Sequence, residues 1–301
     1  MLATIIVGVD GREGGRDALA LAGLLQRKFD SALVAVVAYP YDPFPSRASS
    51  RAFDTIVARD ATQAAHDEVR AAGVHARAIA VPDGSPARAL HHVAESEHAD
   101  LIVVGSDRQG PVGRVLAGDV TSGALYGAPC PVAVAPRGLA SSNEVVRKVG
   151  VGYDGTPEAK QALELARAVS EATGAVLELV CVVAPPVPVG PWAVEVITMT
   201  DSERSEHERV EGLAAEALRE LGDLATVHVV EGRPDVELAS RSSEFDLIVV
   251  GSRGYGPLKR LMLGSTSSKL VRSAACPVIV VPRGAHEVLA EEPALTAGER
   301  A

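Results

Sequence analysis

The chain carries the same pattern twice, and this repeat limits the fold more than any other feature of the sequence. Residues 100–138 align without a gap to residues 246–284, and about half of the aligned positions are identical. The opening segments 5–11 and 149–155 also match. The sequence therefore predicts two copies of one ancestral domain, at 1–138 and 147–284, followed by a disordered tail at 285–301.

Length and composition agree with this organisation. At roughly 100–200 residues per domain, a chain of 301 residues is long enough for two domains. Hydrophobic residues make up 47 % of the chain but aromatic residues only 3 %, so the cores must be built from Ala, Val, Leu and Ile. Such cores suit layered α/β packing, in which helices cover both faces of the strands.

Strands alternate with helices most clearly in the second copy. Thr156, Pro157 and Glu158 are typical of a helix start, and Gly174 is typical of a helix end. The predicted strands of this copy are 149–153, 175–183, 225–230, 245–250 and 277–281, and its predicted helices are 156–173, 201–221, 235–243 and 258–273. The fold class is therefore α/β, with two tandem open five-stranded parallel sheets, Rossmann-like, that carry helices on both faces.

Several classes of protein are disfavoured by composition. The net charge is -10 and no long basic stretch is present, so we predict no nucleic-acid partner. The three cysteines, Cys130, Cys181 and Cys276, do not form a disulfide framework and fit a reducing compartment. The sequence also lacks a signal peptide pattern and an apolar stretch long enough for a bilayer, so we predict a cytoplasmic protein without a membrane partner.

A ligand site is expected where the strands of each sheet end. In open parallel sheets, ligands bind at the carboxyl ends of the strands, where the strand order reverses. Asp10 and Asp154 end the first strand of each copy, and a glycine-rich loop leaves the fourth strand at Gly105 and at Gly251. These features would face one another if the first and fourth strands were neighbours.

The loop of the second copy has the chemistry of an anion site. Gly251 permits a sharp turn, and Gly254 lacks the Cβ that would keep a phosphate away from the backbone. Gly264 and Ser265 follow, where unpaired N–H groups at a helix start would favour an anion. Glycines after a strand are also ordinary turn residues. The residues alone therefore leave both phosphate binding and simple turn formation open.

The spacing Gly251-x2-Gly254-x9-Gly264-Ser265 resembles the ATP-binding motif of the universal stress protein family. The opening VGYDG, the strand DLIVVGS and the final strand CPVIVVP also resemble that family, over nearly the whole chain in two copies. The resemblance implies a sheet order of 3-2-1-4-5 in each copy. That order would place the first and fourth strands side by side.

The resemblance also implies ATP, with Mg²⁺, as the ligand. Asp154 would lie beside the ribose and the metal-bound phosphates, Val182 against the adenine and Gly232 on the adenine side. Each residue also has a simpler interpretation: Asp154 could bond the next turn, Val182 could pack in the core and Ser265 could cap a helix. The ATP-binding set predicted for the second copy is Gly152, Asp154, Val182, Gly232, Val250, Gly251, Ser252, Arg253, Gly254, Gly264, Ser265 and Thr266.

The first copy departs from the motif at two positions. Arg108 replaces Gly254, and Asp119 replaces Ser265. A carboxylate about 4 Å from a phosphate charge would lower affinity roughly five-fold in water, and by almost a thousand-fold at an effective dielectric near 20. We therefore expect weak or no ATP binding at this site, unless a metal bridges Asp119 to the phosphates. The corresponding candidate set is Gly8, Asp10, Val36, Gly84, Gly105, Ser106, Arg108, Gly118 and Asp119.

Three functions remain open from the sequence alone. The first is an ATP-binding regulatory or stress-response protein. The second is a slow ATPase or phosphotransferase, although no GxxxxGK[ST] loop is present. The third is a flavodoxin-like binder of another nucleotide or of flavin. His91 and His92 lack a zinc-helix pattern and are predicted to be surface residues, and Cys130 and Cys276 are predicted to be buried structural thiols.

The fifth strand of each copy is predicted to be an edge strand, and exposed edges tend to pair. In the family that the chain resembles, these edges meet in dimers. Strands 131–135 and 277–281 could therefore pair within one chain, or two chains could form a homodimer. The sequence indicates no protein partner.

Overall fold

The structure, a computed structural model, describes residues 2–40, 48–106, 115, 118–142, 145–185, 196–252 and 264–282. The first half contains β1 (Thr4–Gly8), α1 (Glu13–Phe29), β2 (Ala32–Tyr39), α2 (Ala48–Ala71), β3 (Arg77–Pro82), α3 (Pro86–Ser96), β4 (Leu101–Gly105), α4 (Asp119–Leu125) and β5 (Val132–Ala135). The second half contains β6 (Lys148–Gly152), α5 (Pro157–Thr173), β7 (Val176–Val183), α6 (Val196–Leu221), β8 (Ala225–Glu231), α7 (Pro234–Arg241), β9 (Leu247–Gly251), α8 (Ser265–Leu270) and β10 (Val278–Val281). The predicted tail at 285–301 lies outside the described residues.

The described strands form one ten-stranded sheet in the order β3-β2-β1-β4-β5-β10-β9-β6-β7-β8. Each half has the predicted order 3-2-1-4-5, so the first strand of each half does lie beside the fourth. Pairing is parallel within each half. The halves join where β5 runs antiparallel to β10, with Ala133 opposite Ile279. The fifth strands therefore pair within the chain.

Helices cover both faces of this sheet, which is why its strands are apolar on both sides. Alternation along β1 shows the two layers: Ile5 and Val7 pack in one core, and Ile6 packs in the other. The first core lies under α1, α2, α5 and α6, and the second lies under α3, α4, α7 and α8. No helix in the described residues combines the length and apolar composition that crossing a bilayer requires.

The predicted helix start at Thr156 is present. The Thr156 hydroxyl accepts a hydrogen bond from the Ala159 N–H at 3.2 Å, and Pro157 is the first helical residue. Gly174 ends the helix in the left-handed conformation, with φ 75°. Most other predicted boundaries differ by a few residues, as for β9, which begins at Leu247 rather than at 245.

The continuous helix predicted at 258–273 is wrong in its described part. Gly264 is extended, with φ -70° and ψ 164°, and helix α8 begins only after it and ends at Leu270. Glycine is unfavourable inside a helix. Here Gly264 adopts the extended conformation of an N-cap, the residue that precedes the first turn of a helix. Residues 258–263 lie outside the described part of the chain.

The segment after β5 is fixed to the first helix. The Asp17 carboxylate in α1 is fully buried and accepts the N–H groups of Gly138 and Ala140, each at 2.9 Å. Glu13 pairs with Arg137 at 3.2 Å. These contacts hold the start of the connection between the two halves, at residues 137–140, against α1.

The predicted surface histidines and buried thiols can be located in the structure. His92 is exposed, whereas His91 is half-buried and its Nε2 lies 2.8 Å from the Ala124 carbonyl. All three cysteines are buried free thiols. Burial raises the pKa of Cys181 to about 11. This fits a structural role.

Candidate functional site

A cavity lies at the carboxyl ends of β6 and β9, where the sequence predicted a ligand crevice. Eight of the predicted residues line it: Gly152, Asp154, Val182, Val250, Gly251, Ser252, Gly264 and Thr266. The other lining residues were not among those predicted from the sequence. They are Tyr153, Thr156, Glu158, Ala159, Val180, Ala184, Glu206, Arg209, Pro234, Leu238 and Ser267. The lining thus combines charged and polar residues with apolar ones, as small-molecule sites commonly do.

The Asp154 carboxylate is oriented by the turn that follows it. Its Oδ1 accepts the Thr156 hydroxyl at 2.6 Å and the Thr156 N–H at 3.1 Å. Gly155 between them has φ +77°, which favours glycine. The simpler interpretation, that Asp154 bonds the next turn, therefore holds. The same bonds fix the carboxylate at the cavity wall.

Gly251 is required by packing. A Cβ at Gly251 would lie 2.6 Å from the backbone carbon of Glu158 and 2.9 Å from the Ala159 N. The first turn of α5 therefore approaches the end of β9 more closely than any side chain at 251 would allow. The glycine therefore lets the start of α5, which follows Asp154, pack against the end of β9.

Ser252 contributes a hydroxyl beneath the cavity. The residue is only 1 % exposed, and its Oγ has no hydrogen-bond partner in the part of the chain that the structure describes. Buried hydroxyls in native proteins are normally hydrogen-bonded. An orphaned hydroxyl at a cavity wall is therefore a candidate ligand contact.

Two described residues of the predicted set, Ser265 and Gly232, do not line this cavity. Ser265 is the first residue of α8 and is exposed, and the next two residues line the cavity instead. Gly232, with φ +146°, packs beside the Glu237 side chain, and its place at the wall is taken by Pro234 and Leu238. Arg253 and Gly254 lie outside the described residues.

The family can be decided by comparison with known proteins. The sequence profile of the universal stress protein family matches this chain twice, over residues 1–136 and 146–282. The chain belongs to the universal stress protein family.

Curated universal stress proteins of Mycobacterium tuberculosis are similar in sequence. Rv2005c is 34 % identical over 197 residues, which span 62 % of this chain and 62 % of that protein's own length. Rv2319c is 26 % identical over 300 residues, which span 93 % of this chain and 99 % of that protein. A universal stress protein crystal structure from Archaeoglobus fulgidus is 24 % identical, with a TM-score of 0.66, and covers 93 % of this chain and 98 % of its own. That structure shares the fold.

Helix α6 adds a charged pair to the wall of the second universal stress protein domain. Arg209 Nη2 lies 2.7 Å from Glu206 Oε1, and Arg209 Nε lies 2.8 Å from Glu206 Oε2. This hydrogen bonding lowers the pKa of Glu206 and raises the pKa of Arg209. No local motif marks these residues, because a helix reaches this crevice only through tertiary packing.

The first universal stress protein domain places its predicted residues at the corresponding edge. Asp10 Oδ1 accepts the Arg12 N–H at 3.1 Å, as Asp154 does with Thr156. Gly118 precedes α4, and Asp119 is its first residue and is exposed. Gly8 ends β1, Val36 is buried on β2, Gly84 lies in the loop before α3, Gly105 ends β4, and Ser106 is buried after it. Arg108 lies outside the described residues.

Two contacts distinguish this first site from the second. The Ser106 hydroxyl donates to the Ala135 carbonyl at 2.6 Å, so it is used within the fold. Glu68 in α2 accepts the Gly11 N–H beside Asp10, and burial raises the pKa of its carboxyl. At the equivalent point of the second domain, Gly155 faces Leu213. The first site therefore has one carboxylate more at this point, beside the Arg12 guanidinium, whose Nε lies 3.9 Å from Asp10 Oδ2.

Proposed function

We propose that the second domain binds ATP in the cavity between Asp154 and Gly264, and that the first domain binds it weakly or not at all. The motif glycines Gly251 and Gly264 border the same cavity as Asp154, which supports the proposal. The observation that carries it is the buried, unpartnered hydroxyl of Ser252 among the described residues. A buried donor without a partner costs about 1–3 kcal/mol, which a ligand would recover.

The proposed orientation follows from the polarity of the wall. Val182, Pro234 and Leu238 form an apolar side that suits the adenine. Asp154, Thr266 and the start of α8 form the polar side, toward which the phosphates would point. In this proposal the protein acts as a nucleotide-dependent regulatory or stress-response protein.

Mg²⁺ fits the donor set as a companion of the phosphates. The ion commonly takes one or two protein carboxylates together with phosphate oxygens and water. Asp154 offers such a carboxylate at the wall. No group of three His, Cys, Asp or Glu side chains suited to a metal is present among the described residues. In the proposal, Asp154 and the phosphates would hold the ion together.

The test is the amount and identity of nucleotide that the purified chain binds. We expect calorimetric titration with Mg-ATP to give one tight site per chain. Asp154→Asn should weaken it strongly, and the matched Asp10→Asn variant should leave it unchanged. Two equally tight sites, or loss through Asp10→Asn alone, would contradict the assignment.

The alternative functions are separated in the same preparation. Phosphate release from γ-labelled ATP, well above that of Asp154→Ala, would support the ATPase. Mass spectrometry of the material released on denaturation identifies the ligand. Recovery of flavin in place of ATP would support the flavodoxin-like alternative.

A further inference from the structure

The charged pair on α6 is part of the cavity wall and not a remote surface feature. Glu206 and Arg209 both line the cavity, together with Asp154. The pair is partly accessible, with 49 % of the Arg209 side chain and 32 % of the Glu206 side chain exposed. The guanidinium meets the carboxylate through two nitrogens, and the same planar geometry fits a phosphate.

The described cavity lining contains one cation that could meet an anionic ligand, Arg209. The described lining residues include the carboxylates of Asp154, Glu158 and Glu206, and Arg209 is the one Lys or Arg among them. The charge of Asp154 also acts on Arg209 and contributes to its raised pKa. Within the described part of the wall, a polyphosphate would therefore meet a cation that is already paired with the neighbouring Glu206 carboxylate.

The first domain lacks this pair. Helices α2 and α6 correspond at an offset of 145 residues, because the buried Ala65 and Val69 then match the buried Val210 and Ala214. The same offset places alanines at the two charged positions. They are Ala61 and Ala64. The pair is thus confined to the domain that keeps the complete glycine motif.

We propose that Arg209 recognises the phosphates of the nucleotide in the second domain, and that Glu206 competes with those phosphates for its guanidinium. This inference rests on the proposed nucleotide site and assigns its selectivity to α6. When a polyphosphate binds, Arg209 exchanges the carboxylate of Glu206 for phosphate oxygens. Selectivity for ATP over adenosine then depends on Arg209, and Glu206 limits the affinity.

The experiment measures dissociation constants of the full chain for adenosine, AMP, ADP and ATP in constant Mg²⁺. Arg209→Gln should weaken ATP about tenfold, the effect of one charge at roughly 6 Å and an effective dielectric near 40. The loss should shrink with each phosphate removed and vanish for adenosine. Glu206→Gln should strengthen ATP by several-fold, and the double variant should lose that gain.

The matched controls are Arg204→Gln and Glu208→Gln, which change the same residue types at exposed positions of α6 outside the described lining. Both should leave all four constants unchanged. Either cavity variant breaks the same ion pair, so damage to the helix would move both in one direction. Opposite directions can therefore only come from the charges.

Three results would overturn the inference. Equal losses for adenosine and ATP in Arg209→Gln would assign a structural role to the residue. Unchanged ATP binding in both variants, with a wild type that binds ATP, would refute the inference and leave the proposed site intact. A wild-type chain that binds none of the four ligands would refute both.

Discussion

In both domains a serine follows the strand that contains the shared run LIVVG, and the two serines are used differently. Their N–H groups make equivalent bonds, from Ser106 to the Ala135 carbonyl at 3.0 Å and from Ser252 to the Val281 carbonyl at 2.9 Å. The Ser106 hydroxyl adds a second bond to Ala135, whereas the Ser252 hydroxyl finds no partner among the described residues. The Ser106 hydroxyl is therefore used within the fold, whereas Ser252, whose hydroxyl is unpartnered among the described residues, lines the cavity.

The charges around the two crevices differ in the same sense. In the first domain Glu68 lies beside Asp10, and Asp119 opens α4. In the second domain Leu213 and Ser265 take the places of these two acids, and Arg209 adds a cation. The two domains thus share one fold but place different charges at corresponding positions of their crevices.

The largest expected effect tests what the two domains share. A Cβ at Gly105 would clash severely with the carbonyl oxygen of Gly14. A Cβ at Gly251 would lie 2.6 Å from the backbone carbonyl carbon of Glu158. We expect Gly105→Ala to lower the free energy of unfolding by about 3 kcal/mol or more and Gly251→Ala by about 1–3 kcal/mol. Chemical denaturation of the full chain measures both.

The control for this pair is Gly84→Ala. An added Cβ at Gly84 would meet nothing within 4 Å. We expect a change of about 0.5 kcal/mol or less. If Gly105→Ala and Gly251→Ala changed the free energy of unfolding as little as this control, the close approach of the first helix in each domain would not explain why glycine occupies these positions.

The next prediction compares Asp17 in α1 with Gln161, its equivalent in α5, because only one of the two side chains satisfies backbone groups. Asp17 satisfies two backbone N–H groups, whereas Gln161 Oε1 is buried without a partner in the described part of the chain. We expect Asp17→Ala to lower the free energy of unfolding by about 2–3 kcal/mol, because two donors lose their acceptor. Gln161→Met should change it by less than about 1 kcal/mol. Equal losses would remove the asymmetry.

The pH dependence at Asp17 follows from the same burial. Burial raises the pKa of Asp17, so the folded chain holds this proton more tightly than the unfolded chain. Its contribution to stability is fully present below the unfolded pKa and is lost as pH rises through the folded pKa. The stability of the wild type relative to Asp17→Asn should therefore fall as pH rises over this range. Chemical denaturation at a series of pH values measures the difference in free energy of unfolding between the two proteins. A rise of this difference with pH would contradict the expected direction.

A smaller effect is expected from exchanging the residues that open α4 and α8. Ser265→Asp should weaken ATP binding in the second domain by roughly five-fold or more, because it adds a charge near the phosphates. Asp119→Ser should strengthen any binding in the first domain by a similar factor. Calorimetric titration separates the two sites by stoichiometry. Unchanged affinity in Ser265→Asp would show that the acid at 119 does not account for the weaker binding proposed for the first domain.

Much of this fold could be predicted because the repeat made the pattern visible twice. The strands are apolar on both faces and the helix starting at Thr156 has its own capping signals, so both were predicted from local sequence. The start of α8 after Gly264 was missed because the predicted helix was drawn as one run from 258 to 273. The pairing of β5 with β10 was left open because an exposed edge does not specify its partner.

The site could be predicted only where it follows the chain locally. Asp154, Gly251 and Gly264 mark the wall because they occur at strand and helix ends. Glu206 and Arg209 reach the same cavity from a helix that is distant in sequence, so only its packing against the sheet reveals them. The comparison of α2 with α6 could have drawn attention to these charges, but not to the direction that they face.

The smallest expected effects distinguish Ser106 from Ser252, because one substitution should change stability and the other ATP affinity. Ser106→Ala removes a hydrogen bond of 2.6 Å and should lower the free energy of unfolding by about 1 kcal/mol, with no change in ATP binding. Ser252→Ala removes a hydroxyl without a described partner, so stability should hold or rise slightly. Its ATP affinity should fall by roughly two- to twelve-fold, the equivalent of one hydrogen bond. If Ser252→Ala lost stability and kept its ATP affinity, the hydroxyl would belong to the fold in both domains, and the difference between them would rest on charge alone.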